Sequence, residues 1–253
     1  MITIKTEKEI KILKQGGHIL AKILKTVANS IYPGISTDIL DKMAFDLIKQ
    51  AGGKPSFLHY KADFMSKEYP ASLCVSKNNI IVHGIPSNKT FLNQGDIVSL
   101  DIGMVYKGLY TDTAITVPVG DICLKYKKLI KATKESLYKA ILVAKAGNTL
   151  GDIGYTIQST LMKYGLLPIK NLVGHGVGYQ AHEDPEIFNF GMPHSGVVLK
   201  AGYVLAIEPM ATYGTDDIIE NPDGSFATAN GEYAAHFEHT IVILKAGNII
   251  ITK

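Results

Sequence analysis

Asp101 and Asp112 are the two residues best placed to do chemistry in a stretch, 94–120, that otherwise reads as a β-hairpin, QGDIVSLDIGMVYKGLYTDTAITVPVG. One apolar strand runs into Asp101. A second starts at about Asp112, and Lys107-Gly108 sits where a two-residue turn belongs. With that turn, Tyr106 faces Leu109 and Asp101 faces Ala114. Asp112 is then the same-face diagonal neighbour of Asp101, at roughly 7–8 Å between backbones. Two carboxylates leaning together on a buried sheet face are costly unless something neutralises them, and a divalent metal would do so. On the hairpin alone, two unrelated turn-flanking aspartates remain the competing reading.

The second half of the chain repeats the pattern. Gly95-Asp96-Ile97-Val98-Ser99-Leu100-Asp101 parallels Gly202-Tyr203-Val204-Leu205-Ala206-Ile207-Glu208. Each run has a glycine, an apolar strand and a carboxylate six residues on. Asp112-Thr113 is matched by Glu238-His239-Thr240, and Ile81-Val82-His83-Gly84-Ile85 by Val173-Gly174-His175-Gly176-Val177. The candidate ligands are therefore Asp101, Asp112, His175, Glu208 and Glu238, hard oxygen donors with one imidazole. Such a set suits Mn, Fe, Co or Zn better than a thiolate site. Four carboxylates carry about −4, so charge balance favours two divalent ions over one; a paired site can share a water and acidify it toward neutrality.

These residues need elements to hold them. A T-x-x-E capping box at Thr6 and Glu9 starts a helix that carries Leu13, Leu20, Leu24 and Val27 and closes at Pro33-Gly34. A second helix runs from Ser36 or Thr37 to Gly52-Gly53. Short strands follow at 72–76 and 80–83, then the hairpin. After Gly120 the order restarts, with helices over 129–146 and 152–164 and strands at 173–177, 198, 204–208 and 238–244. Gly34 and Gly52 bracket one helix, and Gly147 and Gly165 bracket its counterpart at the same spacing. This is an internal repeat. The expectation is an α+β chain forming a single catalytic domain, residues 1–253, of two pseudo-symmetric halves, about 1–120 and 121–253. The halves merge their strands into one curved, mainly antiparallel sheet with helices on its outer face.

Composition sets the limits. The chain has 253 residues, 46% of them hydrophobic and 19% charged, an ordinary globular balance with a sizeable core. A formal net charge of +3 is spread rather than blocked, so no specific nucleic-acid footprint is expected. Two cysteines, Cys74 and Cys123, without CxxC spacing, argue for a reducing compartment. No stretch reaches membrane-spanning length, and the polar start is unlike a secretory signal. A cytoplasmic location follows as the expectation.

In order and spacing, I-I-V-H-G-I-P (80–86), G-D-I-V-S-L-D-I-G (95–103), T-D-T-A (111–114), G-H-G-V-G (174–178), A-H-E-D-P (181–185), A-I-E-P-M (206–210) and F-E-H-T (237–240) resemble the type I methionine aminopeptidases, which share the pita-bread fold. The resemblance covers nearly the whole chain. It implies a metalloaminopeptidase that removes the initiator methionine from nascent proteins by means of a metal-activated bridging water or hydroxide. It also implies that Asp101 and Asp112 hold one metal, that Asp112 and Glu238 bridge to a second, and that His175 and Glu208 complete the second site. Glu208 would move a proton as well. His83 and His182 are implied to be catalytic and substrate-binding rather than ligands: His83 near the scissile amide, His182 on the oxygen of the tetrahedral intermediate. Tyr60, Tyr69 and Cys74 would line the methionine pocket. The implied partners are nascent polypeptide N-termini and the ribosome, with no membrane, and the chain is expected as a monomer.

The sequence departs from that family at Phe57, where a small residue is common, in an apparent insertion at 61–68, and at Ala181. It has no tryptophan, and Phe226 would stand in on the rim. His18, His59, His194 and His236 read as structural or surface residues. His239 follows a candidate ligand, and a place supporting the site is weighed there against a plain structural one; Glu183, Asp184 and Glu186 read as a solvated loop without a role. Two other readings are kept. One is an X-Pro peptidase of the same fold, for which relatives carry an added N-terminal domain. The other is a non-catalytic pita-bread binding protein, which would be expected to have lost ligands.

Overall fold

The structure is a computed structural model that describes residues 1–61 and 67–253. The core of the insertion expected at 61–68, Phe64 included, lies outside the described residues. Seven strands and two short additions form one sheet. From one edge the order is Leu73–Lys77, Ile97–Tyr106, Leu109–Pro118, Glu238–Ile243, Val204–Ile207, Val173–Gly176 and Glu183–Phe188. Lys54–Pro55 adds to the second of these and Asn248–Ile250 to the fourth. Every ladder of this sheet is antiparallel.

The hairpin forms with the expected register: Tyr106 pairs with Leu109, Asp101 with Ala114, and Asp112 with Gly103. Lys107 and Gly108 have φ of 50° and 84°. Positive φ at both turn positions is what a tight antiparallel hairpin needs to match strand twist. In the middle of the sheet the second hairpin strand lies against Glu238–Ile243, with Glu238 opposite Ala114. Moving outward, Ile97–Tyr106 stands on one side and Val204–Ile207 on the other. The two Gly-to-carboxylate runs of the repeat therefore occupy equivalent places about a twofold between the central strands.

The four helices are α1 (Glu7–Asn29), α2 (Thr37–Gln50), α3 (Leu124–Val143) and α4 (Leu150–Met162). Capping boxes open α1, at Thr6 and Glu9, and α4, at Thr149 and Asp152. Helix α3 starts five residues before the expected Leu129. Its first turn, Leu124-Lys125-Tyr126-Lys127, is mostly exposed, so it adds no apolar periodicity to read. Val198 makes only an isolated bridge to Thr149.

The helices cover one face of the sheet. Leu20, Leu24, Leu40 and Ile48 of α1 and α2 pack on Leu73, Leu100, Ile102 and Met104. Leu129, Ile141, Ile153 and Ile157 of α3 and α4 pack on Leu205, Ile207, Ile241 and Ile243. Side chains alternate along a strand. Because Leu100 and Ile102 are sealed under the helices, Asp101 between them must face the other way. That opposite face lines a cavity.

Candidate metal centre and substrate cavity

The cavity encloses about 900 Å³, and its lining includes Asp101, Asp112, His175, Glu208 and Glu238. Of these, Asp112, His175 and Glu238 are all buried and place one donor atom each within 4.8 Å of one another. Asp101 stands diagonally across the hairpin ladder from Asp112 on the same face, and its charge helps raise the Asp112 carboxyl. Glu208 Oε1 lies 3.5 Å from His175 Nε2.

Backbone stitching fixes this group. Thr240 Oγ1 accepts the Asp112 N–H at 3.0 Å and donates to the Asp112 carbonyl at 2.6 Å. Thr113 donates its hydroxyl to the Glu238 carbonyl at 2.8 Å, and its N–H goes to Asp112 Oδ1 at 2.9 Å. The two threonines of the repeat thus tie the central strands together beside the acids. His175 Nδ1 sits 2.8 Å from the Gly176 carbonyl. A carbonyl can only accept, so Nδ1 carries the proton and Nε2 is bare toward the acids.

The electrostatics point the same way. Burial pushes the carboxyls of Asp112, Glu208 and Glu238 well above their ordinary range, and mutual repulsion adds to this for Asp112 and Glu238. Burial and the charge of Glu208 raise Asp101 to about 6, against the opposing pull of His236. Burial lowers His175 to about 3. Asp101 Oδ1 and Glu238 Oε1 are buried without a hydrogen-bond partner. Acids crowded against one another, orphaned oxygens and a bare imidazole nitrogen are a donor set a hard divalent cation would satisfy.

His182 and His83 face the same cavity. The His182 ring lies 4.3 Å from that of His175, centroid to centroid, and its Nδ1 is 2.7 Å from the Tyr60 hydroxyl. One edge of His182 is exposed at the mouth, yet the protein around it pushes its pKa down to about 4. His83 has a φ of 58°, a left-handed backbone in which histidine is enriched but still uncommon. Burial holds it at about 4 as well, and its ring meets Phe226 edge-on at 5.7 Å. Phe57, Tyr69, Ala71 and Cys74 form a buried apolar cluster with Ile85 against it. Tyr69 donates to the Gly84 carbonyl at 2.9 Å, and Cys74 stands across the ladder from Asp101. Phe57 needs Gly103 beneath it: a Cβ there would strike its ring and Ser56.

A scan against family models matches residues 11–245 to "Metallopeptidase family M24". The chain belongs to metallopeptidase family M24. A methionine aminopeptidase of Aquifex aeolicus is 40% identical over 255 residues, covering 100% of this chain and 99% of that protein. Methionine aminopeptidase 1 of Bacillus subtilis is 42% identical, with 100% of both chains covered. The solved methionine aminopeptidase of Thermotoga maritima superposes with a TM-score of 0.95 at 41% identity over the whole of both chains. A prolidase of Pyrococcus horikoshii superposes with a TM-score of 0.78 at 27% identity, over 99% of this chain and 63% of that one. The curved, pseudo-twofold sheet with helices outside is the pita-bread fold of M24.

Three features of this M24 site were not read from the sequence. His236, expected as a structural or surface residue, is buried with its Nε2 3.2 Å from Glu208 Oε2. Glu183 belongs to a strand, and its side chain is sealed in an ion pair with Lys5 at 2.6 Å. Thr3 donates to the same carboxylate oxygen at 2.6 Å, and the amides of Tyr179 and Gln180 bind the other. The expected loop is thus a strand next to His182, with Asp184 and Glu186 exposed as expected and Glu183 alone sealed. Lys5 lies far away in sequence, so no local signal marked the pair. His239, weighed as either a support of the candidate ligands or a plain structural residue, points away from the cluster, to the Tyr138 hydroxyl at 3.2 Å and Thr252 Oγ1 at 3.1 Å. Strand alternation explains this, because Glu238 takes the cavity face.

Proposed function

We propose that the chain is a methionyl aminopeptidase acting on the N-termini of nascent polypeptides. The observation that carries the proposal is one cavity holding both the acid and imidazole cluster and the buried pocket of Phe57, Tyr69 and Cys74. Full-length relatives described as methionine aminopeptidases support it.

Asp101, Asp112, His175, Glu208 and Glu238 would hold the metal. Two divalent ions among Co, Mn, Fe and Zn suit the charge of four carboxylates. When bound, the metal supplies Lewis-acid polarisation and a water acidified toward neutrality. The chain's own groups do the rest. The substrate's free amino terminus meets carboxylates at the closed end of the cavity, which restricts cleavage to the first residue. The thioether side chain enters between Phe57, Tyr60, Tyr69 and Cys74. Glu208 would take a proton from the attacking water and pass it to the departing amine nitrogen. With the Tyr60 hydroxyl donating to Nδ1, His182 keeps its proton on Nε2 and donates it as a hydrogen bond to the carbonyl oxygen as charge develops there. His83 flanks the scissile amide, held by its backbone and by Phe226. Phe226, Tyr179 and Gln180 also line the cavity, and the rest of the peptide would run past them.

We read the two halves, about 1–120 and 121–253, as one catalytic domain and the protein as a monomer. No helix among the described residues is long and apolar enough to cross a membrane. A cytoplasmic site of action, with the ribosome presenting the substrate, belongs to the same proposal. The test is product analysis on Met-Ala-Ser, Met-Lys-Ser and an X-Pro peptide with the metal-loaded protein. Release of Met from the first and little from the second is expected. Faster cleavage before proline would favour the prolidase-like reading, and no cleavage with no metal uptake would favour a binding protein.

A further inference from the structure

His236 is the buried polar group that the mechanism above leaves without work. It is 1% exposed and precedes Glu238 by two residues in an extended stretch. Its backbone is pinned: its N–H goes to Thr116 Oγ1 at 2.8 Å, and its carbonyl accepts from the same hydroxyl at 2.8 Å. The ring, by contrast, has no hydrogen-bond partner at either nitrogen. Nε2 stands 3.2 Å from Glu208 Oε2, close enough to bond but off the line of an N–H in this arrangement. The other oxygen of Glu208 faces His175 at 3.5 Å.

We propose that His236 is a positioning residue for the metal centre, donating Nε2–H to Glu208 Oε2 so that Oε1 is left to the metal beside His175. The inference rests on the metal-centre reading above and adds a partition of the two Glu208 oxygens. A carboxylate ligand that is free to rotate can offer either oxygen or both. One held by an outer donor offers a single oxygen in a fixed direction, and outer donors of this kind govern affinity. Two imidazoles then flank Glu208 with opposite duties: His175 presents a bare nitrogen and His236 a protonated one. A small turn of either side chain in a fully buried site would align the bond.

The test uses the full chain, stripped by chelator and titrated with Zn2+ or Mn2+ in a calorimeter. His236→Gln retains an N–H donor and should bind within about threefold of wild type, whereas His236→Leu should bind about 10–100-fold more weakly. Equal affinity in a folded His236→Leu protein overturns the inference. If neither variant folds, the Zn-loaded wild type carries the test through its imidazole 15N–1H correlations. A proton on His236 Nε2 supports the inference; a bare or metal-bound Nε2 overturns it, the latter making His236 a ligand. Pulsed electron paramagnetic resonance of the Mn-loaded protein should detect one coordinated imidazole, and two would contradict the positioning role. Failure of the wild type to bind either ion overturns the proposed function and this inference together. Tight wild-type binding with a silent His236→Leu overturns the inference alone.

Discussion

Replacing Asp101 by asparagine should stabilise the metal-free protein at neutral pH and remove its response to metal. Burial and Glu208 hold the Asp101 carboxyl at about 6 instead of its ordinary 3.8. Ionising it in the folded chain therefore costs roughly 3 kcal/mol more than in the unfolded chain. The sign follows from proton binding. Between 3.8 and about 6 the folded state holds a proton that the unfolded state has released, so stability falls as pH rises through that window and stays lower above it. An asparagine side chain cannot ionise, and its neutrality also relieves the repulsion on Asp112 and Glu238. For a chain of this size, about 3 kcal/mol corresponds to roughly 6–12 °C in Tm. Imperfect amide hydrogen bonding reduces this, so a rise of about 3–10 °C at pH 7 is expected, fading by pH 4. Thermal unfolding from pH 4 to 8, with chelator and with Mn2+, measures both. Wild type should gain Tm with metal and Asp101→Asn should not. A metal-free Asp101→Asn protein less stable than wild type at pH 7, or a difference unchanged at pH 4, would show that the buried charge of Asp101 is not what costs stability.

His182→Ala should keep its metal and lose about 10²–10³ in kcat, the size expected for one lost donor to a developing oxyanion; turnover like wild type would remove His182 from the mechanism. Tyr60→Phe should lower kcat less than His182→Ala does and have no added effect in a His182→Ala background, since Tyr60 acts on that ring; additive losses would separate the two. Lys5→Met leaves Glu183 sealed with only Thr3 and two amides, and should cost about 3 kcal/mol, at the low end for a broken buried pair. Burial would raise Glu183, but its hydrogen bonds to Lys5, Thr3 and Gln180 outweigh this and hold it low. That stabilisation is present above the ordinary 4.5 and lost as pH falls through the lowered value, so Lys5→Met should approach wild type under acid unfolding. A penalty unchanged at pH 3 would place the effect elsewhere.

What could be read in advance depended on whether the cause was local or repeated. The hairpin register was legible because Lys107-Gly108 admits one tight turn, and strand alternation then fixes which face Asp101 takes. The repeat carried the other half: Glu208 and Glu238 gain meaning only beside Asp101 and Asp112. Helix α1 announced its start through its Thr6–Glu9 capping box, whereas α4 begins two residues before the expected Asp152, behind a Thr149–Asp152 box, and the polar first turn of α3 gave no sign. The strand Glu183–Phe188 was hidden by its charges. Glu183 is tolerated there because Lys5, far away along the chain, neutralises it. His236 was hidden for the opposite reason: a single histidine two residues before an acid is commonplace, and only the twofold fold carries it to Glu208. His239, adjacent in sequence to a proposed ligand, was the misleading neighbour.

The most direct test of the account is to strip the protein with chelator, add back Mn2+ or Co2+ in steps, and follow bound metal and Met release from Met-Ala-Ser in the same samples. Release should be absent from the stripped protein and should rise with bound metal, and Asp112→Asn should show neither. Full Met release by the stripped protein, or by Asp112→Asn without metal, would contradict it.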